Sequence, residues 1–304
     1  MIEDRTISAE VRYINPEWKT VDEVPEIGSR ETRRANTSRR SVTIGDARFA
    51  EAEDSSTEMF GLDTSGSTLL SVTLPDEVRV PSGTKPGAKR APRPYVEAML
   101  ELVRTETGAQ ATHFFADLVR TEDQSDFNTG YSRFVHCDYN ATNLASMSVN
   151  LLGRRGVAPS GVAPSDTERS DTERSDTERS GETYAWYNTW QPFDYTVEQN
   201  PLAMLDVRSL ADDDIVDYRY TGYDGGGGLV AAPVYNPDHR WWYYPNMTPD
   251  EVLLSKQLDA RNGVAHQCPH TSFIDESRPG DTLPRRSVEL RILAVFDLRN
   301  PRPS

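Results

Sequence analysis

Cysteine is almost absent: Cys137 and Cys268 are the only two in 304 residues. Two thiols cannot build the disulfide framework of a small secreted domain, so two reduced thiols in a cytoplasmic protein are expected. Lysine is scarce as well, with Lys19, Lys85, Lys89 and Lys256 set against 29 arginines. Positive charge as a whole is short: 33 Lys and Arg face 48 Asp and Glu, a formal charge of −15. A nucleic-acid partner needs phosphate-neutralising surface, and this balance argues against one. No apolar run approaches the ~20 residues of a membrane span. The start, Met1 to Arg5, lacks the basic and apolar regions of a secretory signal, so no membrane partner is expected. The acidity fits a salt-adapted or a GC-rich source and bears on solubility rather than chemistry.

What is present is length and strand-like patterning. A chain of this size buries roughly three quarters of its unfolded surface, enough for one large domain. Residues 20–45, rich in Arg, Glu, Ser and Thr, read as a long loop or extended arm. Residues 80–94 carry four prolines and read as another loop. Val96, Met99, Leu100 and Val103 then fall on one helical face, with Gly108 as the stop. Short β-rich segments are expected at 111–119, 132–137, 183–190, 202–207, 229–235, 240–244, 251–258 and 287–296. That pattern predicts a mainly β fold with flanking helices, of the jelly-roll or cupin type. Two tandem five-residue repeats interrupt it. Residues 156–160 are copied once and 166–170 twice more, ending at Ser180. With no large apolar residue beyond Val they cannot build a core, so 153–181 reads as a disordered low-complexity insertion. Gly225 to Gly228 reads as a flexible turn.

Histidine is the informative scarcity. There are five: His113, His136, His239, His266 and His270. On a strand, His136 and Asp138 point to one face and can offer an imidazole nitrogen and a carboxylate oxygen to one metal, with Cys137 on the other face. A third ligand from a distant strand would complete the two-His, one-carboxylate triad of non-haem Fe(II) enzymes. A hydrogen-bonded or surface histidine is the plainer alternative. His270 offers the distal imidazole, and His266 competes for that role if 263–270 is extended. Further on, Arg285, Ser287, Glu289 and Arg291 alternate with Arg286, Val288, Leu290 and Ile292. One face is thus polar, as in a strand lining a wet cavity. Arg285 and Ser287 on that face can hold a carboxylate by a two-pronged guanidinium contact plus a hydroxyl.

Seven blocks in order carry a resemblance: Thr107 to Ala109, Arg133 to Tyr139 (RFVHCDY), Tyr187 to Pro192 (YNTWQP), Pro201 to Leu210 (PLAMLDVRSL), Glu251 to Asp259 (EVLLSKQLD), Pro269 to Phe273 (PHTSF) and Pro284 to Arg291 (PRRSVELR). The chain resembles the hydroxylase/desaturase family of Fe(II)/2-oxoglutarate-dependent oxygenases, over about residues 5 to 298. The resemblance implies a double-stranded β-helix and a single oxygenase domain over 1–304. It implies Fe(II) held by His136, Asp138 and His270, and 2-oxoglutarate anchored by Arg285 with Ser287, Arg291 being the second choice of anchor. Arg286 stands where family members often carry an acidic residue, and is harmless if it faces away. The implied reaction consumes dioxygen, decarboxylates 2-oxoglutarate to succinate, and hydroxylates or desaturates a small molecule such as a natural product or an amino-acid derivative. A jelly-roll binding protein without catalysis, or an iron enzyme that does not use 2-oxoglutarate, are the competing classes.

The neighbours carry plainer expectations. His113 reads as a half-buried strand residue, His239 as a solvated loop residue and Cys268 as a packing residue. Trp186, Asn188 and Trp190 share one strand face, so Trp186 and Asn188 are candidate substrate-lining residues, with core packing as the alternative. Lys256 lies in an apolar strand and needs a partner. An ion pair with Asp259 is the structural reading; a place beside substrate is the functional one.

Overall fold

A computed structural model describes residues 5–53, 59–84, 91–121, 133–156, 181–221 and 227–298. Residues 157–180 of the repeat segment, and Gly225 and Gly226, lie outside the described residues. The frame is two five-stranded sheets. One is ordered β3 (Ser67–Ser71), β10 (Glu251–Asp259), β5 (Glu182–Pro192), β12 (Arg286–Asp297), β4 (Ala111–Thr121), all antiparallel. The other is ordered β1 (Thr6–Ile14), β2 (Thr37–Asp46), β9 (Trp241–Tyr243), β6 (Leu202–Leu205), β11 (His270–Ser272). In it β2 and β9 run parallel. A hairpin of β7 (Ile215–Thr221) and β8 (Gly227–Pro233) stands beside them, with Gly227 and Gly228 in the ladder rather than in a turn. Together these make the double-stranded β-helix that the sequence implies.

Helix α3 (Arg93–Thr107) covers the outside of the long-strand sheet. Proline at its first turn presets φ, and Gly108 ends it at φ +68, where a Cβ would clash. Tyr95, Met99 and Val103 are its buried stripe. They pack on Tyr187, Leu254, Val288, Leu290 and Ile292. Because side chains alternate along a strand, Ser287, Glu289 and Arg291 of β12 and Trp186, Asn188 and Trp190 of β5 face the opposite way, into the space between the sheets. At one end α4 (Leu144–Arg154) closes that space, packing Leu151 and Leu152 near Tyr139, Trp186 and Leu293. At the other end Trp190 and Leu253 meet Met204, Met247 and Cys268.

Three expectations are corrected. Residues 20–45 are not one loop: they contain α1 (Arg30–Asn36) and most of β2, and α2 (Ala47–Glu53) follows. Helix α1 starts at a local device, Ser29 Oγ accepting from Thr32 N at 3.1 Å while Ser29 N donates to Thr32 Oγ1 at 3.0 Å. Residues around 133–137 form no continuous strand; Phe134, His136 and Cys137 are tied by single bridges to Arg12, His270 and Ala231. Gly153 and Arg154, placed with the repeats on sequence grounds, are the last residues of α4. Both cysteines are unpaired and buried. Among the described residues no helix is long and apolar enough to cross a membrane.

Candidate metal centre

His136 and His270 face each other across a reciprocal backbone pair, His136 N to His270 O at 3.1 Å and His270 N to His136 O at 3.0 Å. That bridge brings the rings to 4.6 Å between centroids. Asp138, two residues on, returns to the same face. His136 Nε2 lies 3.9 Å from Asp138 Oδ1, and His270 Nε2 lies 3.9 Å from Asp138 Oδ2. One ligand atom from each of the three residues falls within 4.8 Å of the others. The sequence-predicted triad is therefore assembled, and His266 is outside it: that ring is exposed and its Nδ1 meets Asp259 O at 2.8 Å.

The other nitrogen of each imidazole is already committed. His136 Nδ1 lies 2.7 Å from Phe134 O, and His270 Nδ1 lies 3.3 Å from Cys268 O. A carbonyl can only accept, so Nδ1 is the donor in both rings and Nε2 is the nitrogen turned toward the centre. Metal-bound histidines are oriented in this way. Burial, and then the neighbouring His270, push His136 down to about 3, so its ring is neutral and ready to ligate. Burial opposes ionisation of Asp138, but Arg291 and the two imidazoles outweigh it and hold the carboxyl well below the usual carboxylate range.

Arg291 and Asn188 hold that carboxylate from the facing sheet. Arg291 Nη2 donates to Asp138 Oδ1 at 2.8 Å, and Asn188 Nδ2 donates to Oδ2 at 2.5 Å. The two are cross-strand neighbours on β12 and β5, so one register fixes both. Arg291 Nε also donates to Glu289 Oε1 at 3.1 Å, and its guanidinium lies 5.8 Å from the Tyr139 ring centroid. Arg291, the second-choice anchor of 2-oxoglutarate on sequence grounds, is here paired with Asp138 and Glu289. Its role as the carboxylate's partner escaped the sequence reading. The signal was present, since Glu289 and Arg291 share the strand face that carries Ser287.

Arg285 and Ser287 remain as a pair. Arg285 is buried, donates from Nη1 to Asn200 O, and lies 5.5 Å over the Trp190 ring. Ser287 Oγ is buried with no hydrogen-bond partner among the described residues. A buried hydroxyl left so is costly unless something else binds it. A buried guanidinium beside an orphaned hydroxyl suits a carboxylate. Arg286 does face away, donating to Asp194 Oδ2 at 2.5 Å and stacking over Phe193.

The expected substrate-lining residues divide. Asn188 belongs to the centre as a holder of Asp138. Trp186 is core: it is fully buried, donates from Nε1 to Ser148 Oγ at 3.0 Å, and packs 5.1 Å from Tyr139. Lys256 is removed from the centre altogether. Its cross-strand partner is Tyr187, on the face that meets α3, and its Nζ lies 2.8 Å from Asp259 and 2.5 Å from Asp63. The ion-pair reading of Lys256 is the one the structure bears out. His239, expected in solvent, is also corrected: its side chain is only 1% exposed, with Tyr13 Oη at 3.1 Å and Asp214 Oδ2 at 3.1 Å. His113 is half-buried on β4 and Cys268 packs in the core, as expected.

Known proteins resemble this chain in sequence and fold. The hydroxylase/desaturase efuI of Hormonema carpetanum is 39% identical over 124 residues, 36% of this chain and 40% of that protein. The hydroxylase/desaturase asaB of Aspergillus flavus is 33% identical over 129 residues, 38% of this chain and 56% of that protein. The chain thus spans about half the length of these curated relatives. The solved structure of the iron and alpha-ketoglutarate-dependent endoperoxidase NvfI superposes with a TM-score of 0.73 at 19% identity, covering 96% of this chain and 99% of that one. At that identity the likeness speaks for the fold alone, and it is the double-stranded β-helix described above. A family model described as Oxidoreductase/YMDC permease-like domain matches residues 11–296, nearly the whole described fold, and the chain belongs to that family.

Proposed function

We propose that the chain is a non-haem Fe(II)/2-oxoglutarate-dependent oxygenase that hydroxylates or desaturates a small molecule. The observation that carries this reading is the centre itself. Two imidazoles whose Nδ1 donates to a backbone carbonyl and whose Nε2 points to the centre, and one carboxylate held ionised by Arg291, converge within 4.8 Å. Two His and one carboxylate with room for further ligands is the donor set of Fe(II) oxygenases. The names of the hydroxylase/desaturase relatives support the same class.

His136, Asp138 and His270 hold the iron, and Arg285 with Ser287 binds the far carboxylate of 2-oxoglutarate. When bound, the pair supplies the oxidising power, drawn from dioxygen and from decarboxylation of 2-oxoglutarate to succinate. The protein's own work is positional. Phe134 O and Cys268 O fix the imidazole tautomers, Asn188 and Arg291 fix the carboxylate, and Trp190 packs beside Arg285. We read 1–304 as one oxygenase domain in the cytoplasm, with the repeats of 156–180 inserted after α4; the family match running from 11 to 296 supports the single domain.

The test is anaerobic reconstitution with Fe(II), followed by the visible spectrum on adding 2-oxoglutarate. A weak charge-transfer band is expected, with one iron per chain. In Arg285→Ala the iron should stay while the 2-oxoglutarate concentration at half-saturation rises at least ~10-fold, the loss of a charge-assisted contact. Iron binding without any band would remove 2-oxoglutarate from the reading, and failure to bind iron would remove the enzyme.

A further inference from the structure

A second site lies outside the metal centre's ligand set. Arg12 of β1, Arg39 of β2, Arg30, Arg33 and Arg34 of α1, and Arg133 line a solvent-open cavity of about 260 Å³. Among the described residues Glu10 is the one carboxylate on its wall. Val11 and Phe134 supply its apolar lining. In a chain of net charge −15, six guanidinium groups around one hollow are out of keeping with the rest of the molecule.

The local rules of stability are broken there repeatedly. Arg12 and Arg39 are directly opposite each other across β1 and β2. Like charges so placed repel. Arg30 and Arg34 are one helical turn apart, another destabilising spacing. Arg33 Nε is buried with no hydrogen-bond partner among the described residues. Arg12 is held below its usual value by burial and then by Arg39, Arg34 and Arg33, against a single opposing contribution from Glu10. Arg39 does pair with Glu10 at 2.7 Å, but both side chains are more than half exposed. Such a pair contributes little. Concentrated violations of this kind mark functional sites, where a ligand supplies the missing charge.

We propose that this cavity is an oxyanion-binding site for a compact ligand carrying at least two negative charges on phosphate or carboxylate groups. Guanidinium forks match both groups, and the volume suits a small head group rather than a drug-sized molecule, for which roughly 300 Å³ or more is usual. Its wall adjoins the metal centre. Arg12 N donates to Arg133 O at 2.9 Å, and Val135 N donates to Arg12 O at 2.8 Å. Phe134, between them, stacks with its ring 6.2 Å from that of His136 and accepts the His136 Nδ1 proton. A ligand that locks these arginines therefore braces the segment that carries the first metal ligand.

The test uses the full chain stripped of metal on a chelating resin and dialysed into chelator-free buffer, so that neither metal nor a competing polycarboxylate contributes, titrated calorimetrically with pyrophosphate and, separately, with citrate. Saturable binding of at least one, with Kd below ~1 mM, is expected. Tighter pyrophosphate assigns the site to phosphates, and tighter citrate to carboxylates. The double variant Arg33→Gln/Arg39→Gln should weaken binding at least ~10-fold, the loss of charge-assisted contacts. Its unliganded Tm should not fall, because repulsion is relieved; circular dichroism checks that it folds. Arg34→Gln, an exposed single change, should weaken binding in the same direction. Arg285→Ala should leave it unchanged, which separates this site from the one proposed for 2-oxoglutarate. Absence of saturable binding to the parent chain overturns the proposal. So does full affinity in the double variant, or loss of affinity in Arg285→Ala alone.

Discussion

The two sheets that enclose the centre are built differently. In the long-strand sheet β5, β12 and β4 run for 11, 12 and 11 residues, and β10 for 9. In the other sheet β9 and β11 have three residues each and β6 has four. His270 opens one of those three-residue strands, and His136 is held only by an isolated bridge to it. The ligand atoms therefore come from backbone that has little ladder to obey. The groups that hold the carboxylate among them, Asn188 and Arg291, come from the centre of the regular sheet. A continuous ladder fixes side-chain direction tightly, which suits the residues that must hold a carboxylate to within a fraction of an ångström. A short bridge lets three ligand atoms converge at a spacing no straight strand provides.

That division of labour can be broken from either side. Asp138→Ala should weaken iron binding by more than about 100-fold, beyond the ~10–100-fold that outer-shell partners command. Chemical denaturation should move by no more than about 1 kcal/mol, since Glu289 still neutralises Arg291. Leu290→Ala should do the reverse. Leu290 is fully buried against the α3 cluster, and its truncation should cost ~2–5 kcal/mol of unfolding free energy. Iron stoichiometry, measured well below the lowered Tm, should stay at one per chain. A Leu290→Ala protein that folds normally but loses iron would show that the regular sheet does more than support the orienting residues.

How much of this was legible in the sequence follows the same line. The long strands were, because the β-rich segments 183–190, 251–258 and 287–296 fall within two residues of β5, β10 and β12. Helix α3 was legible from its apolar stripe and its Gly108 stop. The triad was legible only in part: the spacing of His136 and Asp138 is local, but the choice of His270 over His266 depends on a backbone bridge that no spacing reveals. Strand β2 was hidden because Arg39 and Arg40 stand in its middle and only Val42 and Ile44 mark its inner face. His239 was misread because a loop between Pro237 and Arg240 reads as solvated, whereas Tyr13 and Asp214, both distant in sequence, enclose the ring. Lys256 was undecidable from a strand buried on both faces. A bulge between Lys256 and Leu258 sets Asp259 beside it.

Arg291 gives the finest test of the comparison, because it belongs to the regular sheet yet touches a ligand. If its part is to orient and neutralise Asp138, Arg291→Gln should leave the fold intact and reduce iron affinity by about 10–100-fold, the usual weight of an outer-shell partner. Two effects act in the same direction in that variant. Losing the cation raises the proton affinity of a buried carboxylate, so protons compete with iron more strongly. Losing the hydrogen bond at 2.8 Å also frees Asp138 Oδ1 to rotate away from the imidazoles. Arg291→Lys separates them. It restores the charge but not the planar fork that reaches Asp138 and Glu289 together. Recovery of iron affinity in the lysine variant would assign the effect to charge, and continued weakness would assign it to geometry. If neither variant changes iron binding, the bridge between His136 and His270 positions the ligands without help from the facing sheet.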